Sequence, residues 1–390
     1  MLEDGDDQET QVFLSALSSF YQYSKVAHFN TTHLRRQSFY ALPRSHIELL
    51  SSPPFSYLDT LEEVDNAIDK NAEIAQAILT SGLQSPDLDS EVSLKAKAEG
   101  KDWRGLATSN DIERARSTMR QLFRDWSEEG KPEREACYRP VFDALAIEKS
   151  RHPEAKLRVL VPGAGLGRLV FDLCCAGFDS EGNEISYTQL LTSSYILNSC
   201  SEARIHTLFP WIHSFSNHRT RSNHLRSVQI PDINPRQVLG SSKDAGRMSM
   251  SASDFLLLYG SEEQQGSFDA IATVFFLDTA PNVIRYLEVI RNCLKPDGLL
   301  INVGPLLWHF EGNAPGIHGK EKDMDVDMDC TGIAEPGSFE LTEDELIVLV
   351  ERMGFTIERR DSNINAPYIH DKESMLQNTY MASSWVARKI

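Results

Sequence analysis

The sequence predicts an α/β fold: an open, mainly parallel sheet with helices on its faces, preceded by a helical region of about 150 residues. Three observations carry this. Apolar residues recur at helical spacing almost without a break from Gln8 to about Lys149. After Pro153 the texture changes to short apolar runs alternating with helical segments, the pattern of crossover units on a parallel sheet. The first of those runs, Val159 to Val161, passes directly into Gly163-Ala-Gly165-Leu-Gly167.

In the N-terminal part, Phe13, Leu14, Ala16, Leu17, Phe20 and Tyr21 form one apolar stripe, and Leu61, Val64, Ile68, Ile74, Ala77 and Ile78 form another. Pro53-Pro54 interrupts the pattern between them. A polar stretch over 81–110 leads to a helix from Asp111 through Trp126, with Ser109 to Asp111 offering its cap. Residues 1–150 thus read as a helical N-terminal region and 151–390 as the α/β domain. Its strands are expected over 157–161, 177–183, 268–276, 298–303, 355–360 and 380–387, and its helices over 165–176, 186–198, 280–294 and 342–353.

Two stretches read as loop insertions, near 214–245 and 312–337. The second contains an acidic run from Glu321 to Asp329. Its alternation of Asp323, Asp325 and Asp327 has Met328 where a calcium loop needs glycine, and the distal glutamate is out of register. A solvated acidic loop is the expectation there, and no metal site is predicted.

With 41% hydrophobic residues, 390 residues suffice for a sizeable core, and the formal charge of −18 gives no net attraction to nucleic acid or an anionic membrane. The start of the chain lacks the pattern of a signal peptide, and no apolar run approaches the roughly 20 residues that span a bilayer. Cytoplasmic location is expected, with the nucleus also open to it. Six cysteines, at 137, 174, 175, 200, 293 and 330, show no CxxC pair and no paired zinc spacing.

Glycines between a strand and a helix let the backbone turn sharply and approach a ligand, and the helix N-terminus presents free amides. Glu184 follows at the end of the second strand, 21 positions after Gly163, close to the spacing of about 20 for a ribose-binding carboxylate. Nicotinamide and methyl-donor cofactors both use such loops, but a pyrophosphate binder places its third glycine one residue later, where this chain has Arg168. Asp254 beside Phe255 suits an adenine amine and ring face. The apolar run from Phe268 ends in Asp278 at the carboxyl edge of the sheet, where ligands of such folds bind. The succession points to a class I methyltransferase with S-adenosylmethionine as cofactor; a nicotinamide oxidoreductase is a distant alternative.

Longer phrases sharpen this. Arg124-Asp-Trp-Ser-Glu-Glu-Gly-Lys131, Glu135-Ala-Cys-Tyr138, Val161-Pro-Gly-Ala-Gly-Leu-Gly-Arg168, Gly182-Asn-Glu184, Phe275-Phe-Leu-Asp-Thr-Ala-Pro-Asn282 and Gly304-Pro-Leu-Leu-Trp-His-Phe310 span most of the chain. In these the sequence resembles the carnosine N-methyltransferases. The resemblance implies a seven-stranded, Rossmann-like class I methyltransferase sheet with an N-terminal helical extension contributing to the cofactor site, and methyl transfer from S-adenosylmethionine to the imidazole of carnosine, giving anserine. It implies cofactor contacts from Gln121, Arg124, Gly163, Gly165, Glu184, Asp254, Phe255 and Val274, and a substrate pocket of Asp278, His309 and Tyr380. His309 would accept the imidazole proton while Asp278 orients the substrate ring or its amine.

The chain departs from the family's pattern at Val274, where a cysteine is expected, and at Asn378, where an aromatic is. The partner implied is a small imidazole dipeptide, with a homodimer compatible with it. A histidine in a peptide or protein, or another imidazole compound, is the alternative acceptor. A cofactor-binding interaction module without catalysis is the alternative of a different class.

Overall fold

The computed structural model describes residues 2–84, 102–312 and 337–390, with side chains from residue 9 onward in the first helix. The acidic run from Glu321 to Asp329, with Asp323, Asp325 and Asp327, lies outside the described residues, as does most of the polar stretch before Asn110. The chain divides into two compact units, which interleave in sequence.

The first unit comprises residues 1–131, 187–236 and 369–378. Its frame is the pair of long helices Leu2–His28 and Tyr57–Gln84, with Leu34–Tyr40, Arg44–Ser51 and Ser109–Trp126 around them. Phe13, Leu14, Ala16, Leu17 and Phe20 are buried as their spacing predicts, together with Leu61, Val64, Ile68, Ile74 and Ile78. Tyr21 is 49% exposed and Tyr23 takes the buried place. The helix Ser109–Trp126 starts two residues earlier than expected. Thr108 is its cap, in a reciprocal box in which the Asp111 amide donates to the threonine Oγ1 and the Asp111 carboxylate accepts from the Thr108 amide.

The stretch 214–245, expected to be loop, is instead structured. It carries the helices Arg221–His224 and Pro235–Ser241. It also supplies strand β4 (Val228–Ile230), which pairs antiparallel with β3 (His206–Leu208). The side chain of Asn71 anchors this region as a backbone would, donating to the Phe209 carbonyl at 2.9 Å and accepting from its amide at 2.8 Å. Residues 369–378 are held by Asp371, which accepts from Asn223 and Arg226.

The second unit comprises residues 132–186, 237–368 and 379–390. Its strands are β1 (Arg158–Pro162), β2 (Asp179–Glu184), β5 (Met248–Ala252), β6 (Phe268–Val274), β7 (Leu294–Gly304), β8 (Phe355–Pro367) and β9 (Thr379–Lys389). They form one seven-stranded sheet in the order β5-β2-β1-β6-β7-β9-β8. The first five are parallel, and β9 runs antiparallel to both neighbours.

Alternate residues of the strands serve opposite cores. Leu160, Ile271 and Leu300 pack with Tyr286, Leu287 and Leu346, from the helices Val283–Cys293 and Glu343–Arg352. Val159, Ala270 and Ile301 pack with Val141, Leu145 and Leu169, from the helices Lys131–Arg151 and Arg168–Cys175. Both faces are therefore covered, which is why β1 and β6 read as nearly unbroken apolar runs. Strand β5 is only half-buried at the sheet edge and mixes serine with methionine, so no apolar run marks it in the sequence. β8 extends seven residues past its apolar start because register breaks between Ile357 and Arg359 and between Asp361 and Ile364 let a polar edge strand stay paired with β9.

Candidate active site

The register of the parallel strands brings the ends of five strands to one edge of the sheet. Pro162 of β1 lies opposite Asn183 of β2, Glu184 opposite Ala252 of β5, and Val274 of β6 opposite Val303 of β7. Every turn that leaves this edge thus carries a residue singled out in the sequence.

After β1 the chain turns on Gly163, Gly165 and Gly167, at φ of 66°, 57° and 75°, a region that side chains strongly disfavour. A Cβ on Gly163 would lie 2.6 Å from Cδ2 of Phe276. The loop is fastened to β2 by the Ala164 amide donating to the Asn183 carbonyl and the Gly165 amide donating to Oε2 of Glu184, each at 2.9 Å. The other Glu184 oxygen accepts from the amides of Ile185 and Ser186. This carboxyl is 7% exposed, and burial raises its pKa against the pull of those amides.

Three amides occupy three of the roughly four lone-pair positions of a carboxylate, and the remaining one suits a hydroxyl donor such as a ribose diol. With glycines at positive φ and the helix Arg168–Cys175 beginning directly after Gly167, the donor set fits S-adenosylmethionine.

At the end of β5, Asp254 caps the helix Phe255–Tyr259, its Oδ1 accepting from Leu256 and Leu257. Phe255 is 1% exposed and packs on Phe276, Tyr286 and Tyr259, so its ring is core, not an open cover for an adenine. An apolar ring at the first position of a short helix over the sheet gains more from burial than from facing a cleft. Asn183, which no spacing marks, holds the same turn by donating to the Ser253 carbonyl at 2.9 Å. Val274 is half-buried and packs into the apolar cluster with Val141 and Val161.

Beyond β6 the backbone takes φ of 55° at Phe275 and then forms a short turn at Leu277–Thr279. Asp278 is 2% exposed and does not cap the next helix, a role Asn282 fills. It holds the loop after β7 instead. Its Oδ2 accepts from the Leu307 amide at 2.9 Å and its carbonyl from the His309 amide at 3.0 Å. Burial raises the Asp278 pKa, with the Leu307 amide and the His309 ring pulling the other way.

The His309 side chain is exposed, on a loop also fixed by Trp308, whose Nε1 donates to the Leu341 carbonyl. Tyr380, on β9 opposite Ala366, sets its ring edge against Phe275 at 5.9 Å and lies 6.1 Å from Tyr368. The structure therefore brings Asp278 and His309 together and puts Tyr380 beside the same turn. Phe275 and Tyr368 join it unannounced by any spacing.

Gln121 and Arg124 belong to the first unit. Gln121 accepts from Gln189 at 3.2 Å, and Arg124 is paired with the neighbouring Asp125 carboxylate. Among the described residues no group of His, Cys, Asp and Glu is placed to hold a metal, and no helix is long and apolar enough to cross a membrane.

Residues 101–390 match the family model of carnosine N-methyltransferases. The carnosine N-methyltransferase of Schizosaccharomyces pombe is 36% identical over 388 residues, 98% of this chain and 97% of that one. The chain belongs to the carnosine N-methyltransferase family. The mouse carnosine N-methyltransferase is 33% identical over 392 residues, covering 99% of this chain and 88% of its own. Family membership extends through the interleaved segments of both units, and it makes the chain a methyltransferase enzyme built on the seven-stranded sheet described above.

Proposed function

We propose that the protein transfers a methyl group from S-adenosylmethionine to an imidazole nitrogen of carnosine, giving anserine. The observation that supports this reading is the double tie from Asp278 to the backbone of the Leu307–His309 loop, which joins a buried carboxyl to a loop carrying an exposed histidine in a chain of this family. S-adenosylmethionine supplies the electrophilic methyl. Glu184 and the Gly163–Gly167 turn bind it, with Asp254 at the same edge and Gln121, Arg124 and Val274 as further contacts that the family likeness implies.

The chain's own part is position and proton handling. A neutral imidazole has one lone pair and one N–H, so the attacking nitrogen is free only when the proton sits on the other. His309, exposed on its loop, takes that proton as the ring becomes cationic, and Asp278 fixes the loop and the ring's orientation. Tyr380, with Phe275 and Tyr368, gives the ring an aromatic wall. Holding acceptor and donor in line supplies most of what a displacement at a methyl group needs. Cytoplasmic and nuclear location, and a homodimer, remain expectations for experiment.

His309→Ala removes the base and leaves the Glu184 turn intact. Turnover on carnosine is expected to fall about 100-fold or more, with donor binding unchanged, read by labelled-methyl transfer and by calorimetry. Methyl transfer near the wild-type rate would remove His309 from the mechanism.

A further inference from the structure

We propose that the first unit carries a pH-sensitive clasp, in which His28, as an imidazolium, ties the end of the helix Leu2–His28 to Asp65 and Asp69 of the helix Tyr57–Gln84. All of its residues belong to this unit.

The helix Leu2–His28 runs on into Leu34–Tyr40 through one π-type turn, Phe29–His33. Such turns are rare inside helices and are frequent at functional positions. His28 is the last residue before it. Its Nδ1 lies 2.8 Å from Oδ1 of Asp65 and its Nε2 lies 2.9 Å from Oδ1 of Asp69. Asp65 and Asp69 stand one turn apart on their helix, so a single ring fits between the two carboxyls.

These two contacts decide the charge of the ring. A carboxylate oxygen offers lone pairs and no hydrogen, so each nitrogen facing one must donate, and only the protonated ring has a hydrogen on both. Burial disfavours that charge, but the hydrogen bonds and charges of Asp69 and Asp65 outweigh it and raise the His28 pKa above its ordinary value of 6.5. Among the described residues no other charged group bonds to this ring or pairs with it. The further charge in the cluster is Arg36, from Leu34–Tyr40, which pairs with Oδ2 of Asp65 at 2.6 Å. The Thr32 hydroxyl donates to the Oδ1 that His28 also reaches. Burial pushes the Asp65 carboxyl up, and Thr32, Arg36 and His28 together hold it below its ordinary range.

Loss of the imidazolium proton therefore splits the ties unequally. A neutral ring keeps one N–H and turns a lone pair toward the other carboxylate, which it repels. Asp65 stays held by Thr32 and Arg36. Asp69 is 63% exposed and has His28 as its one hydrogen-bond or ion-pair partner among the described residues, so its carboxylate turns to water. A group with a raised folded pKa adds stability that is complete below the unfolded value and is lost as pH rises through the folded one. The clasp thus closes on acidification and opens on its Asp69 side as pH rises. Partly exposed pairs are weak, so opening loosens the adjoining π-type turn and leaves the helices folded.

The test uses the full-length protein. The ring resonances of His28, assigned with His28→Gln, give its titration, and amide hydrogen exchange over residues 29–36 reports the state of the turn. His28 is expected to titrate above 6.5, and in Asp69→Asn to move down toward that value. After correction for the intrinsic effect of pH on exchange, the amides are expected to exchange about threefold faster above the titration than below it, and Asp69→Asn to abolish that difference.

A His28 ring that titrates at or below 6.5 in the wild-type protein overturns the proposal, whatever the variants do. So does a raised titration with the same corrected exchange on either side of it, or an Asp69→Asn protein in which His28 titrates as in wild type.

Discussion

Glu184 sits where water is nearly excluded, gripped by three backbone amides, yet its pKa is raised because burial outweighs them. Asp278 is raised for the same first reason. A carboxyl whose folded pKa lies above its unfolded one adds stability only at low pH, and that contribution is lost as pH rises through the folded value. Both acids therefore cost the fold something at neutral pH, as functional groups often do. Donor binding shows the opposite sign: it needs the ionised acceptor at Glu184, so affinity for S-adenosylmethionine falls as pH drops through that raised value. Glu184→Gln should bind the donor at least 10-fold less tightly, roughly the 1.5–3 kcal/mol of a hydrogen bond to a charged group, with a flat pH dependence. Calorimetry across pH measures both, and an equally steep dependence in the variant would assign the titration elsewhere. Glu184 was legible from spacing alone. Asp278 was legible as an acid at a strand end, but its grip on Leu307 and His309 was not, because it joins positions 29 residues apart through main-chain amides that no side-chain pattern records.

At the scale of elements, the turn after β1 is the best-determined part of the site, because a backbone at φ of 66° under the ring of Phe276 leaves glycine as the residue that fits. Phe276 cannot move aside easily, since it stacks on Tyr286 at 4.9 Å and meets Phe255 edge-on. Gly163→Ala is accordingly expected to cost about 1–3 kcal/mol of stability and most of the donor affinity, read by thermal unfolding with and without S-adenosylmethionine. A variant as stable and as tight-binding as wild type would show that the turn is not under this constraint. That the same glycines were visible in the sequence is no accident, for the demand is on the backbone. Strands β3 and β4 were not visible, because three residues are too few for alternation to show and their anchor, Asn71 to Phe209, spans 138 positions. Phe255 reads two ways in the sequence, because an acid-aromatic pair at a strand end fits a ligand edge and a capped core helix equally well; its ring is buried.

Over the whole molecule, the change of sequence texture near residue 150 marks where strands begin, whereas the compact units interleave, the first taking in 187–236 and 369–378. Such returns depend on contacts like Asp371 to Asn223, 148 positions apart, which composition does not encode. The first unit also carries a pH signature of its own. Burial lowers His213 to about 3 and His224 to about 4, both below the free value of 6.5. The stability these rings contribute is present above the unfolded pKa and is lost as pH falls from about 6.5 toward those values. His213 alone accounts for about 2 kcal/mol by pH 5, so melting in acid should be less steep in His213→Gln, and identical acid profiles would contradict the assignment.

Methylation of the carnosine imidazole by this chain is read most directly as transfer of labelled methyl from S-adenosylmethionine to carnosine by the full-length protein, with histidine-containing peptides alongside. Labelled anserine, formed faster than any methylated peptide and abolished with His309→Ala, is the predicted result. Donor binding without turnover on carnosine, or turnover confined to peptides, would contradict it.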